Sequence, residues 1–171
     1  MADPNILVAG IGNIFMGDDG FGVEVIKRLN DRPWPDRIRI VDFGIRSFDL
    51  AFALVDDCQV AILVDALQRG EVPGTLYVLE PNLSDLDELS PVSMEGHSLH
   101  PAQVLQMAKL YGNPPERILV VGCEPAVIGF DAGGELRLSP LIQASLDEAV
   151  RLVESLVQKF RQEQMASNEA L

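Results

Sequence analysis

Three groups in this chain have the residue types and spacing to do chemistry. Gly10-Ile11-Gly12-Asn13 follows a short apolar run and precedes the acidic pair Asp18-Asp19. Asp65 directly follows the apolar run Gln59 to Val64, and His97 comes just before a helical pattern that starts near Leu99. Brought to one place, two carboxylates and an imidazole make a mixed oxygen and nitrogen site suited to a divalent transition metal. Three protein ligands would leave positions for water or substrate, as a catalytic metal site requires. His100, three residues after His97, can share a helical face with it and is a rival ligand. His97 is preferred because it lies ahead of the helix, with Ser98 placed to cap it.

Each group also has a plainer reading. Gly10-x-Gly12 opens like a dinucleotide fingerprint, but Phe15 stands where the third glycine should be. Asp18 and Asp19 can simply complement the positive end of the following helix dipole, and taken alone each is as well explained that way. A lone loop histidine is more often merely exposed. Asp65 resists such a reading, because a carboxylate ending a buried apolar strand needs a partner or a polar cleft. Cys58 and Cys123 read as core residues, and no GxSxG elbow or cysteine–histidine nucleophile motif is present.

The elements that must position these groups are legible as alternating periods. Strand patterns cover Asn5 to Ala9, Arg37 to Phe43, Gln59 to Val64, Thr75 to Leu79 and Arg117 to Gly122. Gln59 to Val64 is apolar on both parities, the mark of a central parallel strand covered on both faces. Helical spacing covers Asp19 to Leu29, Ser47 to Val55 with Ser47 as cap, Leu99 to Leu110 and a long segment opened by Ser139-Pro140. Strands alternating with helices predict a three-layer α/β fold, a twisted mainly parallel sheet of about five strands with helices on both faces. In such sheets ligands collect beyond the carboxyl ends of the strands, where all three groups stand. Residues 1–161 read as a single domain and 162–171 as a frayed tail without an apolar face. The acidic, strand-poor stretch Glu80 to Gly96 reads as a functional or solvated loop.

Composition narrows the partners. Of 171 residues, 47% are hydrophobic, which excludes a disordered chain. With 13 Lys and Arg against 26 Asp and Glu, the net charge of −13 disfavours nucleic acid and anionic membrane as partners. Two cysteines without CxxC spacing fit a reducing, cytoplasmic compartment and exclude an all-cysteine metal site. The opening MADPNILVAG lacks the basic region of a signal peptide, and no apolar run approaches the ~20 residues that span a bilayer.

Four segments, in order, resemble the nickel–iron hydrogenase maturation endopeptidases: Ile6 to Leu29 (ILVAGIGNIFMGDDGFGVEVIKRL), Ile62 to Leu67 (ILVDAL), Gly96 to Leu105 (GHSLHPAQVL) and Val120 to Val150. The resemblance covers nearly the whole chain and implies the same α/β fold. It implies that Asp19, Asp65 and His97 are the metal-contacting residues, Asp19 standing where many relatives carry Glu, with Asp18 able to share its role. The implied activity is removal of a C-terminal extension from a hydrogenase large-subunit precursor after nickel insertion. The nickel would be presented by the substrate, not kept by the protease. The two acids would then recognise it, while the metal polarises the scissile carbonyl or Asp19 or Asp65 serves as general base. Two other classes compete: a non-catalytic metal- or anion-binding module, and a metal-dependent hydrolase of small molecules.

Overall fold

A computed structural model of the chain describes residues 5–84, 100–129 and 136–169. Five strands, β1 (Ile6–Ile11), β2 (Ile38–Gly44), β3 (Val60–Ala66), β4 (Leu76–Leu79) and β5 (Arg117–Cys123), form one sheet in the order β2-β1-β3-β5-β4. All neighbours run parallel except β4, which pairs antiparallel with β5. Among the described residues four α-helices flank the sheet: α1 (Phe21–Asn30), α2 (Ser47–Val55), α3 (Pro101–Tyr111) and α4 (Pro140–Glu169). This is the mainly parallel, doubly covered sheet that the alternating periods predict.

The two layers of core follow from strand alternation. Ile6 and Val8 of β1 face α1 and α4, packing with Phe21, Ile26, Ile142 and Val153. Leu7, Ala9 and Ile11 face α2 and α3, packing with Leu50, Leu54, Val104 and Leu105. The central strands β1 and β3 are therefore buried on both sides, whereas the edge strand β2 is largely half-exposed. Chain order reverses between β1 and β3, the first connection leading to β2 on one side and the next to β3 on the other. That switch point opens a crevice at the strands' carboxyl ends.

Several boundaries depart from the periodic reading, each for a local reason. The helix expected from Asp19 begins instead with a single 3₁₀ turn, Asp18–Gly20, and becomes α-helical at Phe21. Ser47 is the first residue of α2 rather than its cap, and Arg46 precedes it without a side-chain cap. Asp65 lies inside β3, one residue before its end, because Asp65 and Ala66 still pair with Gly122 and Cys123 of β5. Helix α3 starts at Pro101, and its cap is His100, whose Nδ1 accepts from the Ala102 amide at 3.2 Å.

Where fraying is expected past Phe160, α4 continues to Glu169. Its last turns are rich in strong helix formers and carry a Lys159–Glu163 pair at 3.8 Å, so they need no apolar face to stay helical. No described helix is long and apolar enough to cross a membrane.

Candidate functional site

The acidic pair is positioned by glycine. Gly12 sits at φ 141°, and a Cβ there would lie 1.9 Å from the Asp19 carbonyl oxygen. Only glycine allows the turn after β1 to press this closely on the 3₁₀ turn. Gly22 does the same one turn later: its missing Cβ would fall 2.1 Å from the Val64 oxygen and 2.3 Å from the Ile11 oxygen. The first turn of α1 therefore rests directly on the ends of β1 and β3. Gly10, beneath it, has no room for a Cβ against Ile26. Asn13 closes the arrangement, its amide donating to Asp19 Oδ2 at 2.8 Å while its own Oδ1 accepts from the Phe15 amide.

Asp19 and Asp65 thereby line one cavity of about 560 Å³ at the carboxyl edge of the sheet, together with Leu67, Arg69, Glu80, His100 and Ile128. Asp19 is 7% exposed and Asp65 3%. Burial raises the Asp19 carboxyl above its ordinary range, against the pull of the Asn13 amide. Asp65 is raised well above that range, first by burial and then by the negative charge of Asp19, with a backbone bond from Ala66 opposing. Burial raises both carboxyls and the Asp19 charge raises Asp65 further, so the pocket is poised either to keep a proton or to receive a cation.

Asp18, next in sequence, has a different environment. Its carboxylate accepts four hydrogen bonds: from the amides of Ala126 (2.9 Å), Val127 (2.8 Å) and Ser139 (2.6 Å), and from the Ser139 hydroxyl (2.9 Å). Its own amide donates to the Val127 carbonyl, and Gly17 bridges Ile128 in a short antiparallel contact. Asp18 is fully buried and does not line the cavity. The carboxylate read from sequence as an alternative ligand instead ties the acidic turn to the segment after β5 and to the start of α4.

His100 lines the cavity, but its chemistry is constrained by its capping role. Burial lowers its pKa, favouring the neutral ring. With Nδ1 accepting the Ala102 amide, the neutral ring carries its proton on Nε2, which is then a donor and not a metal ligand. Binding a metal through Nε2 would move that proton to Nδ1 and break the cap. His97 and Ser98 lie outside the described residues. Among the described residues, no group of three His, Cys, Asp or Glu side chains could hold a metal ion. Cys123 is buried and Cys58 half-buried, both unbridged, with burial pushing each thiol up to about 11.

Sequence reasoning missed three residues at this edge: Arg69, Tyr77 and Glu124. Glu124 immediately follows β5 and, although only 5% exposed, keeps its carboxylate on the Tyr77 hydroxyl and two loop amides. The one sequence signal was an acid directly after a buried apolar strand, the same signal that singled out Asp65.

Known proteins share this arrangement of elements. A family model described as HycI, hydrogenase maturation protease, matches residues 23–156. The hydrogenase expression/formation protein HoxM of Azotobacter vinelandii is 35% identical over 158 residues, covering 89% of this chain and 72% of its own length. The structure of the hydrogenase maturating endopeptidase HybD from E. coli superposes with a TM-score of 0.74 at 26% identity, covering 91% of this chain and 93% of that one. The hydrogenase 2 maturation peptidase from Thaumarchaeota archaeon SCGC_AB-539-E09 gives a TM-score of 0.67 at 30% identity, over 89% and 97%. With the family model spanning most of its length and relatives more than 30% identical over most of both chains, the chain belongs to the hydrogenase maturation protease family and is an endopeptidase of that type.

Proposed function

We propose that this endopeptidase removes a C-terminal extension from a nickel–iron hydrogenase large-subunit precursor once nickel has been inserted. In this reading the nickel is cargo of the substrate, and Asp19 and Asp65, with His97, recognise it. The observation that carries the reading is the pair of buried carboxyls facing one cavity of about 560 Å³ with a single backbone donor to Asp19. Without a cation, burial and the Asp19 charge favour a proton on Asp65. A precursor bearing a divalent ion displaces that proton and gains both carboxylates as ligands, whereas an empty precursor meets an acidic pocket with nothing to neutralise it. Oxygen donors of this kind hold a borderline metal weakly, so the ion stays with the substrate's softer ligands.

The residues then divide the work. Asp19, fixed by the Asn13 amide, docks the cation. Asp65, the more deeply buried, is freed of its proton by the incoming charge and serves as general base for the attacking water. The metal on the substrate side can polarise the scissile carbonyl. The free thiols Cys58 and Cys123 suit action in the reducing cytoplasm, and the acidic surface suits neither nucleic acid nor anionic membrane as partner.

The test is to incubate the protein with nickel-loaded and nickel-free precursor and to follow loss of the C-terminal peptide by mass. Cleavage of the loaded form alone supports the reading. Equal cleavage of both forms removes nickel as the checkpoint and leaves an ordinary carboxylate-dependent peptidase.

A further inference from the structure

Arg69 is the one lysine or arginine that lines the cavity among the described residues, in a chain with twice as many acids as bases. Its guanidinium lies 5.3 Å from the centre of the Tyr77 ring, and no carboxylate among the described residues stands within ion-pair distance of it. An exposed arginine on an acidic protein is ordinarily left to solvent, but this one is built in. Glu124 Oε2 accepts the Arg69 amide at 2.8 Å and the Tyr77 hydroxyl at 2.6 Å, and Oε1 accepts the Gly70 amide at 3.2 Å. Gly70 turns the chain at φ 83°, a conformation that suits glycine. One buried carboxylate thus fixes the backbone that carries Arg69 and the ring on which its side chain rests.

The ionic states agree with the geometry. The Tyr77 hydroxyl, foremost, holds the Glu124 carboxyl below its usual range. Burial, with Glu124 adding to it, pushes Tyr77 up to about 12, so the phenol remains a donor. A buried anion is costly unless fully bonded, and here it serves a loop at the mouth of the cavity.

We infer that Arg69 grips the peptide being cut through carbonyl or carboxylate oxygens of its main chain, and that Glu124 and Tyr77 are positioning residues for that grip. The guanidinium's planar fork matches such oxygens, and its stacking on Tyr77 orders it before the peptide arrives. Among the described lining residues Arg69 is the pocket's cationic side chain for gripping acceptors, while the acids Asp19 and Asp65 take the cation. This inference rests on the reading of the cavity as the cutting site.

The experiment compares steady-state cleavage of nickel-loaded precursor by wild type, Arg69→Ala, Arg69→Lys, Glu124→Gln, the double variant Arg69→Ala/Glu124→Gln, and Asp65→Asn. Arg69 is exposed, so its variants fold. Arg69→Ala is expected to raise KM about tenfold to a hundredfold, the loss of one charge-assisted hydrogen bond, with kcat nearly unchanged. Arg69→Lys should recover part of the affinity because an ammonium lacks the fork. Glu124→Gln should raise KM in the same sense, and the double variant should be no worse than Arg69→Ala alone. Unchanged KM in Arg69→Ala, a loss confined to kcat, or additive effects in the double variant would each overturn the inference. Asp65→Asn separates the two levels: if it is inactive while Arg69→Ala matches wild type, the grip is wrong and the cutting site stands. If Asp65→Asn still cuts, the cutting site itself is wrong.

Discussion

Asp18 and Asp19 are consecutive residues of one 3₁₀ turn, both buried, and their surroundings are opposites. Asp18 accepts four hydrogen bonds from the segment after β5 and the entry to α4. Asp19 accepts one, from Asn13, and shares a cavity with a second carboxyl. A carboxylate surrounded by donors has its desolvation offset and acts as a joint in the fold. A carboxylate given one donor and a like charge is destabilised in the folded protein, and that disadvantage becomes affinity when a cation arrives. The same residue type, one position apart, is a joint of the fold in the first case and, in the function proposed above, the reactive group in the second.

Substitutions sharpen this contrast. The largest effect is expected of Asp65→Asn, which keeps the shape of the cavity and removes its proposed base. Turnover of loaded precursor should fall by about 10²- to 10⁴-fold, measured by mass of the released peptide, with the circular dichroism spectrum unchanged. Asp18→Asn should produce the reverse pattern. An amide cannot accept all four bonds, so stability should drop by about 2–4 kcal/mol, and the melting midpoint by about 10 °C. The protein that remains folded should still cut. If Asp18→Asn melted like wild type, the distinction between joint and reactive acid would collapse.

A smaller effect lies in the pH dependence of stability. Folding raises the pKa of Asp65, and also that of Asp19. An acid with a raised folded pKa favours the folded state most below its unfolded pKa, and that advantage is lost as pH rises through the folded value. Wild type should therefore lose stability relative to Asp65→Asn from the ordinary carboxylate range upward. Denaturant titrations of both proteins at pH 4 and pH 8 should show the gap shifting in favour of the variant at the higher pH. A gap that moves the other way would mean that folding lowers the Asp65 pKa, against both its burial and the Asp19 charge.

The smallest effect is expected at His100. His100→Ala should cost about 1 kcal/mol through the lost cap of α3 and leave most cleavage intact. His97→Ala, in contrast, should abolish processing. Reversed outcomes in the two cleavage assays would exchange the ligand roles of the histidines.

Much of the site's frame was readable from the chain because it depends on local pattern. An apolar run on both parities can only be an inner strand, and Asp65 at its end had to face a polar crevice. Gly10 and Gly12 marked the tight turn after β1. The division between Asp18 and Asp19 was not readable, since the donors to Asp18 come from positions 108 to 121 residues away. Arg69 and Glu124 are likewise joined across 55 residues. His100 as a cap was hidden because histidine seldom fills that role, and the preceding Ser98 offered a more usual one.

The bond between Asp18 and Ser139 also sets an order in time. The acidic turn is written within the first 20 residues, yet two of the four donors that secure it belong to residue 139, at the entrance of the last helix. During synthesis from the N-terminus, the sheet strands emerge before that residue does. A chain interrupted before Ser139 carries both acids of the cavity but only two of the four donors to Asp18, so the turn that seats Asp19 is fully clasped only once that residue has been made.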